Sequence, residues 1–134
     1  MNRFLFTLVI IVSITLSCEV FAQDFVVPLT VSDNGSGTTT LHFGVATDAS
    51  YCIDAALGEF ELPPKPPNSV FDARFTDQRA SGDCLGQGVA CHLQPWLSSD
   101  TFQVDFQPGE GGFPFHLSWP SLRNSYFWSL RLVD

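Results

Sequence analysis

Thr101-Phe102-Gln103-Val104-Asp105-Phe106-Gln107 is the stretch from which the fold class is read. Phe102, Val104 and Phe106 alternate with Gln103, Asp105 and Gln107 without a break. A period of two sends alternate side chains to opposite faces of an extended strand, so one face is built for burial and the other for water. Pro108-Gly109-Glu110-Gly111-Gly112 follows as a turn. Phe113, Phe115, Leu117 and Trp119 then alternate with Pro114, His116 and Ser118. The two segments read as a hairpin with both apolar stripes inward.

The same pattern extends upstream. Phe25 to Ser32 reads as a strand, and Pro28 within it predicts a sheet edge, because proline has no N–H to donate. Asp33-Asn34-Gly35-Ser36-Gly37 is a turn cluster. Thr38 to Thr47 alternates again, with Leu41, Phe43 and Val45 on one face, so these two strands form a first hairpin. Pro63-Pro64-Lys65-Pro66-Pro67 is a short polyproline-like rod, read as a stiff crossover between two sheets rather than a docking motif. Ser69 to Thr76 is a further strand, with Phe71, Ala73 and Phe75 inward and Asp72 and Arg74 outward as a surface pair. A short extra strand is expected near Ala90 to Leu93, and a last one over Ser125 to Val133. No helical period follows the N-terminus. Short strands separated by Gly/Pro turns predict an all-β, antiparallel β-sandwich.

The N-terminus is a different material. Arg3 precedes an apolar run from Phe4 to Leu16, shorter than the roughly 20 residues a membrane span needs. Val20-Phe21-Ala22 places small residues for signal peptidase, so residues 1–22 read as a cleaved signal peptide and 23–134 as the exported domain. Leu16-Ser17-Cys18 offers the minor alternative, lipoprotein anchoring at Cys18. Export places the domain where disulfides are permitted. Cys52, Cys84 and Cys91 then leave an odd thiol, and Cys84 with Cys91 is the candidate disulfide, closing a small loop.

The 134 residues carry a formal charge of −8, which argues against nucleic acid as partner, because phosphate binding needs a basic stripe. Glu59 and Glu61 flank the proline rod without an evident cleft, so solvated loop charge is preferred to a glycosidase pair. Asp48, Asp54, Glu59 and Glu61 crowd one irregular stretch and are the candidate calcium ligands, but no spacing matches a calcium loop. His42 and His116 fall on polar strand faces. No serine lies in Gly-x-Ser-x-Gly, and Gly82, Gly86 and Gly88 do not make a phosphate loop. Trp119 and Trp128 read as core. Trp96, in a loop after Pro95, is the candidate for stacking on a ligand. No catalytic residue and no cofactor is assigned.

The run from Asp48 to Phe75 adds a resemblance. Leu57-Gly58-Glu59-Phe60-Glu61-Leu62-Pro63-Pro64-Lys65-Pro66-Pro67, followed by Val70-Phe71-Asp72-Ala73-Arg74-Phe75, resembles a recurrent module of proteins exported by Bacteroidota- and Ignavibacteria-type bacteria. Leu41 to Ala46, Phe106 to Pro114 and Leu117-Ser118-Trp119 fit the same pattern, which covers most of residues 23–134. The resemblance implies an immunoglobulin-like or fibronectin-like sandwich, often in proteins with a C-terminal type IX secretion sorting domain, and no catalytic residues to carry over. Two departures stand out. Cys52 replaces a usual Gly. The chain also stops at Leu132-Val133-Asp134, where similar modules continue into another strand, so a truncated domain with an open, aggregation-prone edge is expected. The function implied is a non-catalytic structural or adhesion module, secreted or at the cell surface, with other surface modules or extracellular glycans as partners. The alternative is a carbohydrate-binding module serving a hydrolase. A small hydrolase is the least supported reading.

Overall fold

The computed structural model describes residues 25–77, 84–96, 101–122 and 131–133. Among the described residues the structure is nearly all β, in two sheets. The strands are β1 (Phe25–Ser32), β2 (Thr38–Val45), β3 (Asp72–Thr76), β4 (Cys91–Gln94), β5 (Gln103–Gln107) and β6 (His116–Ser118), with one 3₁₀ turn at Ala55–Leu57. The larger sheet runs β4-β2-β1-β6 and the smaller pairs β3 with β5.

The first hairpin forms as the alternation predicts. Val27 lies opposite Phe43 and Leu29 opposite Leu41, so both apolar stripes share one face. Those residues, with Val31, pack against Ala73 and Phe75 of the other sheet and against Leu85 and Val89. Phe102, Val104 and Phe106 join from the β5 side. Phe43, Phe75 and Phe102 form an aromatic centre, with ring centroids 5.1 to 6.1 Å apart in tilted and edge-on arrangements. Gly44 permits the closest approach in the hairpin, because a Cβ there would lie 1.8 Å from the Phe25 carbonyl oxygen.

Pro28 does not lie on an edge strand, since β1 sits between β2 and β6. Its constraint is met locally. His42 opposite it sends its own N–H outward to Ala90 O (2.9 Å), so the proline nitrogen faces away from β2. The pairing with β6 covers only Thr30 to Ser32, and no ladder bond to β6 is asked of Pro28.

The larger sheet is not purely antiparallel. β4 runs parallel to β2, with His42 opposite Cys91 and Val45 opposite Gln94. After Val45 the chain leaves the larger sheet, forms β3 in the smaller one, and returns in the direction of β2. Parallel pairing requires such a crossover. The proline rod lies within it, and the two N–H groups of Gln107 Nε2 are shared among Pro66 O (3.1 Å), Pro67 O (2.9 Å) and Val70 O (2.8 Å).

The second hairpin does not form. β5 pairs with β3 and β6 with β1, so Pro108 to Gly112 turns the chain between sheets. Alternation reports a buried face; it does not name the partner strand. Trp119 lies beyond the end of β6 and is 43% exposed, and Phe113 is 72% exposed, so the inward stripe is confined to Phe115 and Leu117. Trp128 and most of the strand expected over Ser125 to Val133 lie outside the described residues, and Arg131 to Val133 are exposed and not in a strand.

Candidate functional site

Three polar clusters hold the loops onto this framework. The first sits between β4 and the loop after β2. Glu59 is fully buried, and its Oε2 accepts the Asp54 N–H at 2.7 Å while Oε1 accepts the Leu93 N–H. His92 Nδ1 lies 3.4 Å from Glu59 Oε1. On the other side of the ring, Nε2 is 3.2 Å from Gln94 Nε2, and Gln94 Nε2 also donates to Thr101 O at 3.3 Å. An amide nitrogen only donates, so Gln94 is the donor in this contact and Nε2 of the imidazole the acceptor. The ring packs edge-on against Phe102, with centroids 5.7 Å apart. Glu59 is therefore not solvated loop charge. It fastens the loop to the β4 backbone.

The second cluster corrects the outward Asp72–Arg74 pair. Arg74 is 2% exposed. Its Nε donates to Asp72 Oδ2 at 2.6 Å and its Nη2 to Asp72 Oδ1 at 2.7 Å, a two-pronged arrangement. Nη1 reaches Pro63 O (2.8 Å) and Gln87 O (2.7 Å). The side chain lies under the proline rod and the 84–90 loop. The Asp72 hydrogen bonds raise the Arg74 pKa further, so the guanidinium is a permanent cation. Beside it, Glu61 Oε1 accepts the Gln87 N–H at 2.7 Å.

The third cluster joins two turns. Asp33 Oδ1 accepts the N–H groups of Gly35 (2.8 Å) and Gly37 (3.0 Å), and Oδ2 accepts that of Gly109 (3.0 Å). The Gly35 bond, foremost, holds the carboxyl below its ordinary value, with the other two adding to it and desolvation opposing.

Three of the four candidate calcium ligands, Asp54, Glu59 and Glu61, accept backbone N–H groups. Asp54 accepts the Ser50 N–H (2.6 Å) and hydroxyl (3.1 Å), Glu59 and Glu61 are occupied as above, and Asp48 is exposed. Among the described residues no group of three or more His, Cys, Asp or Glu is placed to hold a metal ion. The Cys84–Cys91 pairing is also corrected. Cys84 is bonded to Cys52, 32 positions away, which ties the loop after β2 to the loop before β4. Cys91 is buried in β4.

His42 is half-buried and His116 exposed, as the strand faces suggested. Trp96 is 46% exposed just beyond β4. Sequence reasoning missed His92, Gln94 and the Asp33 node. The last had a signal, since Asp followed by Asn-Gly-x-Gly is an Asx-turn pattern. His92 and Gln94 had none, because β4 is buried on both faces and its inward phase is hidden.

The chain matches no family model, no curated protein and no solved structure.

Proposed function

We propose that this chain is a non-catalytic, immunoglobulin-like β-sandwich module, secreted or displayed at the cell surface, with a structural or adhesive role in an exported bacterial protein. The observation that carries this reading is where the ionisable side chains spend their bonds. Asp33, Asp54, Glu59, Glu61, Asp72 and Arg74 are each committed to backbone groups or to one another. A general acid or base must aim a proton or lone pair at a substrate; these groups are aimed at the protein's own loops. The Cys52–Cys84 bond suits an oxidising compartment, as does the apolar N-terminus with its small-residue cleavage signal. The proposed partners are neighbouring modules of the same or adjacent surface proteins.

Fractionation of cells expressing an epitope-tagged chain tests this. The expected result is protein in the medium or at the surface, open to added protease, with Gln23 as its first residue. Recovery in the cytoplasm with Met1 intact would refute export.

A carbohydrate-binding role is the second reading, favoured by the half-exposed Trp96 beyond β4. Glycan-array binding lost in Trp96→Ala would support it; an array without signal removes it.

A further inference from the structure

We infer that Asn34–Gly35 is a latent deamidation site, held unreactive by the carboxylate of Asp33. Asn34 and Gly35 are both exposed at the tip of the β1–β2 turn. Glycine after asparagine leaves the following backbone nitrogen unscreened by a side chain. In the reaction that nitrogen loses its proton to hydroxide and attacks the Asn34 side-chain carbonyl carbon. The carbon–nitrogen bond of the side-chain amide breaks and its nitrogen takes a proton from water, so ammonia leaves, hydroxide is regenerated and a succinimide closes. Water then opens the ring at either carbonyl, giving aspartate or isoaspartate at position 34.

The attacking nitrogen is the one that Asp33 holds. The Gly35 N–H donates to Asp33 Oδ1 at 2.8 Å, and the same carboxylate takes the N–H groups of Gly37 and Gly109. An N–H bonded to an anion gives up its proton less readily, and the bond directs the nitrogen toward Asp33 instead of the Asn34 side chain. Opening of the turn removes both restraints at once.

The product would not fit the closed turn. Isoaspartate inserts a methylene into the backbone between positions 34 and 35. Gly35 already lies against Gly111, where a Cβ on Gly111 would be 2.2 Å from the Gly35 nitrogen. The Asn34 N–H also bonds to Gly112 O at 3.2 Å. Deamidation would therefore separate the β1–β2 turn from the β5–β6 turn irreversibly.

Peptide mapping by mass spectrometry tests this on the purified protein incubated at mildly alkaline pH, natively and in urea. The expected result is conversion at position 34 several-fold faster in urea, with the Gly35 amide protected from hydrogen exchange in the native state. Asp33→Ala, which leaves the Gly35 N–H without its side-chain acceptor, should approach the urea rate under conditions where near-ultraviolet circular dichroism shows it folded. Equal native and urea rates, an unprotected Gly35 amide, or a folded Asp33→Ala protein that reacts as slowly as wild type would each overturn the inference. Should Asp33→Ala fail to fold, the rate comparison and the exchange measurement on wild type decide.

Discussion

Asp33 accepts the backbone N–H of Gly109 at 3.0 Å across 76 positions of sequence. One short side chain thus joins the turn of the β1–β2 hairpin to the turn that carries the chain from the smaller sheet to the larger. Its carboxyl is held below the ordinary aspartate range, chiefly by the Gly35 N–H. A group whose pKa falls on folding contributes its full stability above its unfolded value, about 4, and loses it as pH drops through the lowered folded value. Asp33→Asn should therefore be less stable than wild type by a constant amount near neutral pH. The gap should close at acid pH, below about 4. Urea unfolding of both proteins along a pH series checks this, and a gap that persists into strong acid would remove the charge from the account.

The Cys52–Cys84 bond closes a loop of 32 positions. In the chain-entropy picture a loop of that length restricts the unfolded chain by roughly 4 kcal/mol. Replacing both cysteines by alanine should cost about 2–5 kcal/mol. Peptide mapping without reductant should recover the 52–84 pair, and a peptide joining Cys84 to Cys91 would contradict the structure.

Glu59 and Glu61 look alike in sequence and should answer alike-looking mutations differently. Both oxygens of Glu59 accept backbone N–H groups, from Leu93 and from Asp54, in a fully buried site. In Glu59→Gln one of those donors must face the new amide donor, whichever way the side chain turns. An unmade buried hydrogen bond costs about 1–3 kcal/mol. Glu61 is exposed, and its Oε1 accepts the Gln87 N–H, a bond that a glutamine carbonyl can keep. Glu61→Gln should change stability by less than about 0.5 kcal/mol. Equilibrium unfolding of the two variants side by side gives the contrast.

The same two residues show what the sequence could and could not deliver. Alternation located β1, β2 and β5, because a period of two is imposed by burying one face and is visible without knowing the partner. It could not say that β5 joins β3 while β6 joins β1, since the alternation is the same for either pairing. The extra strand near Ala90 was legible as a short apolar stretch. Its parallel direction was not, because direction follows from the chain's excursion through β3. Polar residues were the least legible. Glu59, Asp72 and Arg74 carry charge, and charge predicts exposure. Their burial is set by backbone donors and acceptors that only the folded loops bring within reach. Asp33 was the exception in kind, since its bonds to Gly35 and Gly37 are local and leave a turn signature.

The two ion pairs on the smaller sheet are expected to differ by more than their chemistry. Lys65 and Asp105 meet at the surface, each about 40% exposed. Water screens such a pair and holding two side chains costs entropy, so Lys65→Met should shift stability by about 0–1 kcal/mol. Arg74 is enclosed, grips Asp72 with two nitrogens, and also serves the carbonyls of Pro63 and Gln87. Removing one member of a buried pair leaves the other charge without compensation, so Arg74→Met should cost about 3–5 kcal/mol. Salt separates the two further. Surface attraction fades once the screening length falls to about 3 Å near 1 M salt, whereas enclosed pairs are screened much less. Urea midpoints at low and high salt should therefore bring Lys65→Met level with wild type and leave the Arg74→Met deficit nearly unchanged. A deficit that vanishes with salt would mean that Arg74 is wet, and that the proline rod and the 84–90 loop do not close over it.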